Sequence, residues 1–298
     1  MEKLILKNVQ VWDIIEFGYY PQSVVSDEEI INVLIEKCGK PKLACNSSWK
    51  DYEYLVGKGM YADIIYLDKR YRLVYMQKHR ESDFIYKYTS YFDNKIYAFN
   101  FEPILWRVLN IVDNKALLVS QKLIDEQEFF VGRRRRKDKK TIYMNNYEYS
   151  HIRSWLNNNF YETAFNESEK SIILTTEVCN NSYTTKNENN CYVCNDTLDK
   201  VFLLSFNEAK TLFANNKDRW KKATEYTKSQ GCFAYKTPDA KYNNAGWWLR
   251  SPDHKYENCV RCVGYGGGLG DGGFSCSNEP ANTLASIAPA IYIQLSDI

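Results

Sequence analysis

Histidine is scarce. The 298-residue chain has three, His79, His151 and His254, and no catalytic motif surrounds any of them. A Ser-His-Asp triad cannot be assembled from such a set by sequence. A phosphate cradle is missing too. Six of the eight residues from Gly266 to Gly273 are glycine, but no Lys-Ser/Thr pair opens a helix after them, as a P-loop requires. Hairpin turns account better for these glycines. No run approaches the ~20 apolar positions of a membrane-spanning helix. The opening stretch MEKLILKNVQVWDIIEFG is broken by Glu2 and Asp13 and has no small-residue cleavage site, so it does not read as a secretion signal. These features predict a soluble, cytoplasmic protein with no membrane contact.

Excess charge is also small, at +2 overall, and it is concentrated. RRRRKDKK, residues 133–140, holds seven bases and one acid, leaving −4 for the rest of the chain. A general nucleic-acid footprint is therefore absent. Nucleic acid is expected, if anywhere, only at this run, which reads as a solvated loop because its neighbourhood has almost no apolar residues.

Nine cysteines are present, an odd number. Without an export signal, reduced thiols are the default. Cys191 and Cys194 form one C-x2-C pair and Cys259 and Cys262 another, and two such pairs can build a tetrahedral zinc site. Here 64 residues separate the pairs, far from ribbon spacing, and small buried thiols explain them as well. A calcium lectin site would need Glu-Pro-Asn and a later Trp-Asn-Asp to supply oxygens. The chain offers only Glu279-Pro280-Ala281. No metal or other cofactor is expected.

Tyrosine, by contrast, is abundant at 24 residues, which suits strands and half-buried faces. Residues 11–25 read as extended, with Gly18 and Pro21 as punctuation. SDEEIINVLIEKCG reads as a helix capped by Ser26 and Glu29. Residues 101–124 read as a hairpin around VDNK. SHIRSWLNNNF has helical spacing in Ile152, Trp155, Leu156 and Phe160. Asn166 with Glu169, and Ser205 with Glu208, mark two more capped helices. DKVFLLS, residues 199–205, reads as a buried strand. After residue 240 the pattern is entirely β: GWWLRS, VRCVGYG, GGFSCS and PAIYIQL. The expected architecture is one α+β domain over 101–298, with residues 1–100 as an extension of short strands and one helix packed on it.

Six segments in order, FGYYPQ, EPILWRVL, HIRSWLNNNFYETAF, DKVFLLS, GWWLRSP and APAIYI, resemble those of an uncharacterised bacterial family common in gut Firmicutes. Its domains carry FGxYPQ, EPIxWRVL, SxIRxWLN, DKxFLLS, WWLRSPG and GVRPAL. The resemblance covers nearly the whole chain. It implies a C-type-lectin-like fold, in the version shared with formylglycine-generating enzymes and the variable proteins of diversity-generating retroelements. In that fold the first and last strands pair, two helices flank the sheet, and late loops display the binding surface. Two departures stand out. Ala288 occupies the place of the family's arginine, and Cys259, Cys262 and Cys276 stand where the family carries Ala, Tyr or Val.

The resemblance makes residues 259–282 the binding face, with Arg261, Tyr265, Asp271 and Asn278 as contacts. GWWLRSPD, residues 246–253, is open to two readings. Residues alternate faces in a strand, so Trp247 pairs with Leu249 and Trp248 with Arg250. Either Trp248 covers a second apolar layer with Arg250 in a charge-assisted bond at its margin, or Trp248, Arg250 and Asp253 face a ligand cleft. The expected function is non-catalytic binding of a protein or glycan. The alternatives are a metal-dependent oxidase related to the formylglycine-generating enzymes, using Cys259 and Cys262, and a retroelement-diversified receptor.

Overall fold

The computed structural model describes residues 8–38, 60–75, 91, 95–132, 135–137, 140–232, 244–269 and 284–295. It is a mixed α+β fold in which strand outweighs helix, 40% to 21%. Strands β1 (Ile14–Val24), β2 (Met60–Tyr66), β3 (Lys69–Tyr75), β4 (Ile96–Val112) and β5 (Lys115–Ser120) build most of one seven-stranded sheet. Then come β6 (Asp125–Glu128), β7 (Arg135–Lys137), β8 (Lys140–Ile142), β9 (Thr176–Val178), β10 (Thr197–Asp199) and β11 (Val201–Phe202). Strands β12 (Trp247–Pro252), β13 (Val260–Val263), β14 (Leu284–Ile287) and β15 (Ala290–Gln294) close the chain. The large sheet runs β11-β15-β5-β4-β3-β2, with β1 also on β4; a second sheet runs β13-β12-β14-β6.

The frame depends on β4. Its 17 residues pair β3 over 96–100, β1 over 99–107 and β5 over 106–112. The β4–β5 turn is made by Asp113 and Asn114, both at positive φ (50° and 57°), which matches the right-handed twist of the two strands. The 100/101 boundary therefore falls inside a strand, and β1 to β3 extend the same sheet. The last strand, β15, is clasped between β11 and β5. The first strand of the chain, β1, lies along β4, so these two do not pair with each other.

Both faces of the sheet are covered. On one side α1 (Glu28–Cys38) lays Leu34, Ile30, Ile31 and Ile35 against Tyr71, Leu73 and Ala98. Its cap is Asp27, not Ser26: the Asp27 carboxylate accepts from the Glu29 and Ile30 amides at 2.9 and 3.3 Å. The main core fills the other side and joins the two sheets. The helical stretch His151–Trp155, Leu156–Phe160 and Tyr161–Ala164 packs there, with a π-turn in its middle. The capping boxes at Asn166/Glu169 and Ser205/Glu208 are both present.

Two local expectations are corrected. The 199–205 run leaves strand geometry after Phe202, because the Leu203 and Leu204 carbonyls are taken by Arg250 at 2.7 and 3.0 Å. The basic run is not simply a loop: Arg135–Lys137 pairs with Lys140–Ile142. Arg133, Arg134, Asp138 and Lys139 lie outside the described residues, as does GGFSCS.

Strand β12 is buried from end to end. Trp247, Trp248 and Leu249 are at most 1% exposed. A buried indole needs an acceptor, and each has one: Trp247 Nε1 donates to Arg219 O at 3.2 Å and Trp248 Nε1 to Gln127 O at 2.9 Å. Replacing Trp247 with alanine is expected to cost about 3–5 kcal/mol, the range for large aromatic truncations in cores. Urea denaturation of the variant checks this; a midpoint equal to the parent's contradicts the core assignment.

Candidate functional site

The ligand-contact candidates that fall on described residues separate into three groups. Trp248 and Arg250 belong to the interior, and the cleft reading of this pair is corrected. Trp248 packs on Phe129, with ring centroids 5.7 Å apart. Arg250 is 2% exposed, and each of its five N–H groups has an acceptor. Nη1 donates to Leu203 O (2.7 Å) and Glu208 Oε2 (2.5 Å), and Nη2 to Glu208 Oε1 (2.8 Å) and Cys179 O (3.1 Å). Nε reaches Cys179 O at 3.4 Å. No donor is left to offer a ligand.

Asp253 and Arg261 come together at the far end of β12. Asp253 Oδ1 accepts from the Lys255 and Tyr256 amides at 2.7 and 3.2 Å, and Oδ2 faces Arg261 Nε at 3.3 Å. Arg261 is itself 7% exposed. This pair shapes the 253–259 loop from beneath. Tyr265 stands at the opposite end of the β12–β13 hairpin, since Val263 pairs with Trp247. Four strand residues put the two ends roughly 13 Å apart. Gly267, two residues on from Tyr265, is fixed by contact. Gly267 has φ +75°, and a Cβ there would sit 1.8 Å from Asn216 O. Asp271 and Asn278 lie outside the described residues.

The far end of β12 carries more than sequence suggested. Segment 182–192 is tied onto it: Ser251 Oγ donates to Thr184 O (3.0 Å) and Asn190 Nδ2 to Pro252 O (3.0 Å). Asn145 Nδ2 donates to Tyr256 O (3.0 Å), and Tyr143 meets Tyr192 edge to face at 5.1 Å. From these anchored loops Tyr183 and Tyr256 project, 68% and 52% exposed. No motif marks either residue. The available signal was the tyrosine count itself.

The cysteine candidates do not converge. Cys191 is exposed, Cys194 and Cys262 are half-buried and Cys259 is buried; all are unbridged. Among the described residues no group of three or more His, Cys, Asp and Glu side chains is placed to hold a metal ion. Burial pushes the Cys194 thiol up to about 11, away from the thiolate a metal or an electrophile would use. Among the described residues, no helix is long and apolar enough to cross a membrane.

Residues 113–295 match the family model of a domain of unknown function, DUF6273. The chain belongs to this family. No curated protein and no solved structure matches the chain. The DUF6273 match begins at the β4–β5 turn and takes in every strand from β5 to β15. Strands β1 to β4 precede it, although Phe17, Tyr20 and Trp106 from those strands are part of the main core.

Within the DUF6273 region the Glu208–Arg250 pair has a titration signature. Burial raises the carboxyl's pKa, but the Arg250 charge and hydrogen bonds, with those from Ser205, outweigh it and hold Glu208 below its ordinary 4.5. A depressed carboxylate contributes stability that is fully present above the unfolded value and is lost as pH falls through the folded one. The parent is therefore expected to be more stable than Glu208→Gln at pH 7, with the gap narrowing as pH drops below 4.5. Paired thermal melts from pH 7 to pH 3 read this out; a gap independent of pH contradicts it.

Proposed function

We propose that this chain is a non-catalytic ligand-binding protein of C-type-lectin-like architecture, and that it binds through the loop surface at the far end of β12. The observation that carries the reading is the pair of exposed tyrosines, Tyr183 and Tyr256, on loops held by side-chain hydrogen bonds to β12 and to Asn145. Tyrosine offers large, amphipathic contact area at low entropic cost. A site held on a rigid element recognises its ligand without first having to order itself. The lectin-like assignment draws support from the last strand, which lies inside the large sheet next to its edge strand, from the flanking helices and from a second, smaller sheet. The ligand class that fits is a protein or a glycan, in the cytoplasm.

The oxidase alternative gains nothing from the placement of Cys259 and Cys262. Val260 and Cys262 share one face of β13, and Cys259 precedes the strand. The basic segment is a weaker binding candidate because it lacks the interleaved aromatic side chains that single-stranded nucleic acids stack on.

Screening against glycan, protein and nucleic-acid arrays tests the proposal with three variants: Tyr183→Ala/Tyr256→Ala, Tyr265→Ala, and Arg133 to Arg136 changed to serine. Binding should be lost, by about tenfold or more, in the first variant and retained in the third. Loss only in the basic-run variant, with affinity falling steeply as salt rises, would place the site elsewhere.

A further inference from the structure

A groove of about 650 Å³ opens on a different part of the molecule, between the β2–β3 hairpin, strands β1 and β4, and residues 162–169. That volume lies in the range of small-molecule sites. We infer that it is a second binding site and that it takes a neutral saccharide.

The groove is built by a bulge. Gly18 has φ +68°, and a Cβ there would stand 2.6 Å from the Phe165 ring, so the position accepts only glycine. The pairing of β1 with β4 shifts register between Glu16 and Tyr19. Bulges re-aim the side chain beside them, and here the result is Tyr19, 48% exposed between buried Gly18 and buried Tyr20. The bulge is locked, because the Gly18 amide donates to Glu169 Oε1 at 2.9 Å while Glu169 Oε2 holds the Asn166 amide at 2.9 Å. The opposite wall is equally set. Arg70 lies over Phe101 at 4.0 Å, and its Nη1 crosses to Thr163 O at 2.8 Å while Nη2 holds Asp63 at 3.0 Å.

The lining decides the ligand class. Tyr19 offers aromatic surface to the apolar face of a sugar ring, beside the Phe101 ring that Arg70 covers. Around them stand donors, Lys69 and the Asn100 amide, whose Nδ2 also donates to Ser23 Oγ at 3.1 Å, and acceptors, Asp68 and Glu162, the latter also accepting from Lys170 Nζ at 2.5 Å. Sugar hydroxyls both donate and accept, so this mixed rim suits them. A phosphate would meet Asp68 and Glu162 as well as Lys69 and Arg70, so charges of its own sign oppose it on the same rim. A purely apolar ligand would leave the rim's charges desolvated. This site is independent of the tyrosines at β12, so either proposal can fail alone.

Saturation-transfer NMR and titration calorimetry of the full chain with glucose, galactose, N-acetylglucosamine, maltose and cellobiose test it. At least one probe should bind saturably. Tyr19→Ala should weaken that binding by about tenfold or more, and Tyr19→Phe by no more than about twofold. Tyr183→Ala/Tyr256→Ala should leave it unchanged. Thermal melts of the Tyr19 variants should match the parent, since the side chain is half exposed. The inference is overturned if no probe binds up to about 20 mM, well beyond millimolar affinity, or if Tyr19→Ala binds like the parent. Loss in the Tyr183/Tyr256 variant alone would move the sugar to the β12 surface and remove it from the groove.

Discussion

Arg250 is a guanidinium taken out of water, and a buried guanidinium is tolerable only if its five N–H groups find acceptors. It finds all five, on Cys179, Leu203 and Glu208. Its own amide adds a bond to Leu204 O. Four chain segments are thereby joined at one point: the loop after β9, the run after β11, the helix starting at Phe206, and β12. The same helix start is fixed again from β12, where Ser251 Oγ accepts the Phe206 amide at 2.8 Å. The loops at the far end of β12 stand on this joint.

Other polar side chains follow the same logic. Asn157 Oδ1 accepts from the Lys200 and Val201 amides, and its Nδ2 donates to Val201 O. Arg153 Nε meets Asp199 at 2.7 Å. Trp106 Nε1 donates to Phe17 O at 2.7 Å, and Gln22 donates to the Glu102 and Pro103 carbonyls. Residues that stand out in the sequence thus act here as joints between segments. The exposed tyrosines Tyr19, Tyr183 and Tyr256 lie at a bulge and on loops between such joints.

This division explains what the sequence could disclose. Capping at Asn166 and Ser205 was legible because a cap and its partner are three residues apart. The start of α1 was misplaced by one because Ser26 and Asp27 are both good caps and only geometry chooses between them. Alternation gave the two faces of β12 but could not say whether either met water, because β12 has cover on both sides. The Glu208–Arg250 contact spans 42 residues, and nothing local announces it. Asp253 and Tyr265 were both assigned to ligand contact, yet the intervening strand carries them to opposite ends of a hairpin. The groove was invisible because its walls come from β1, β3, β4 and the 162–169 segment, which meet only in the fold.

Arg250 and Glu208 are a mutual structural pair. A double-mutant cycle of Arg250→Met and Glu208→Gln, read by chemical denaturation, measures that relation directly. The two single substitutions should each destabilise, and the double variant should fall short of their sum by more than about 1 kcal/mol, as expected for two groups in direct contact, the guanidinium buried and the carboxylate partly exposed. A coupling below about 0.5 kcal/mol, the level of independent sites, would contradict the account and return Arg250 to the set of residues kept for a ligand.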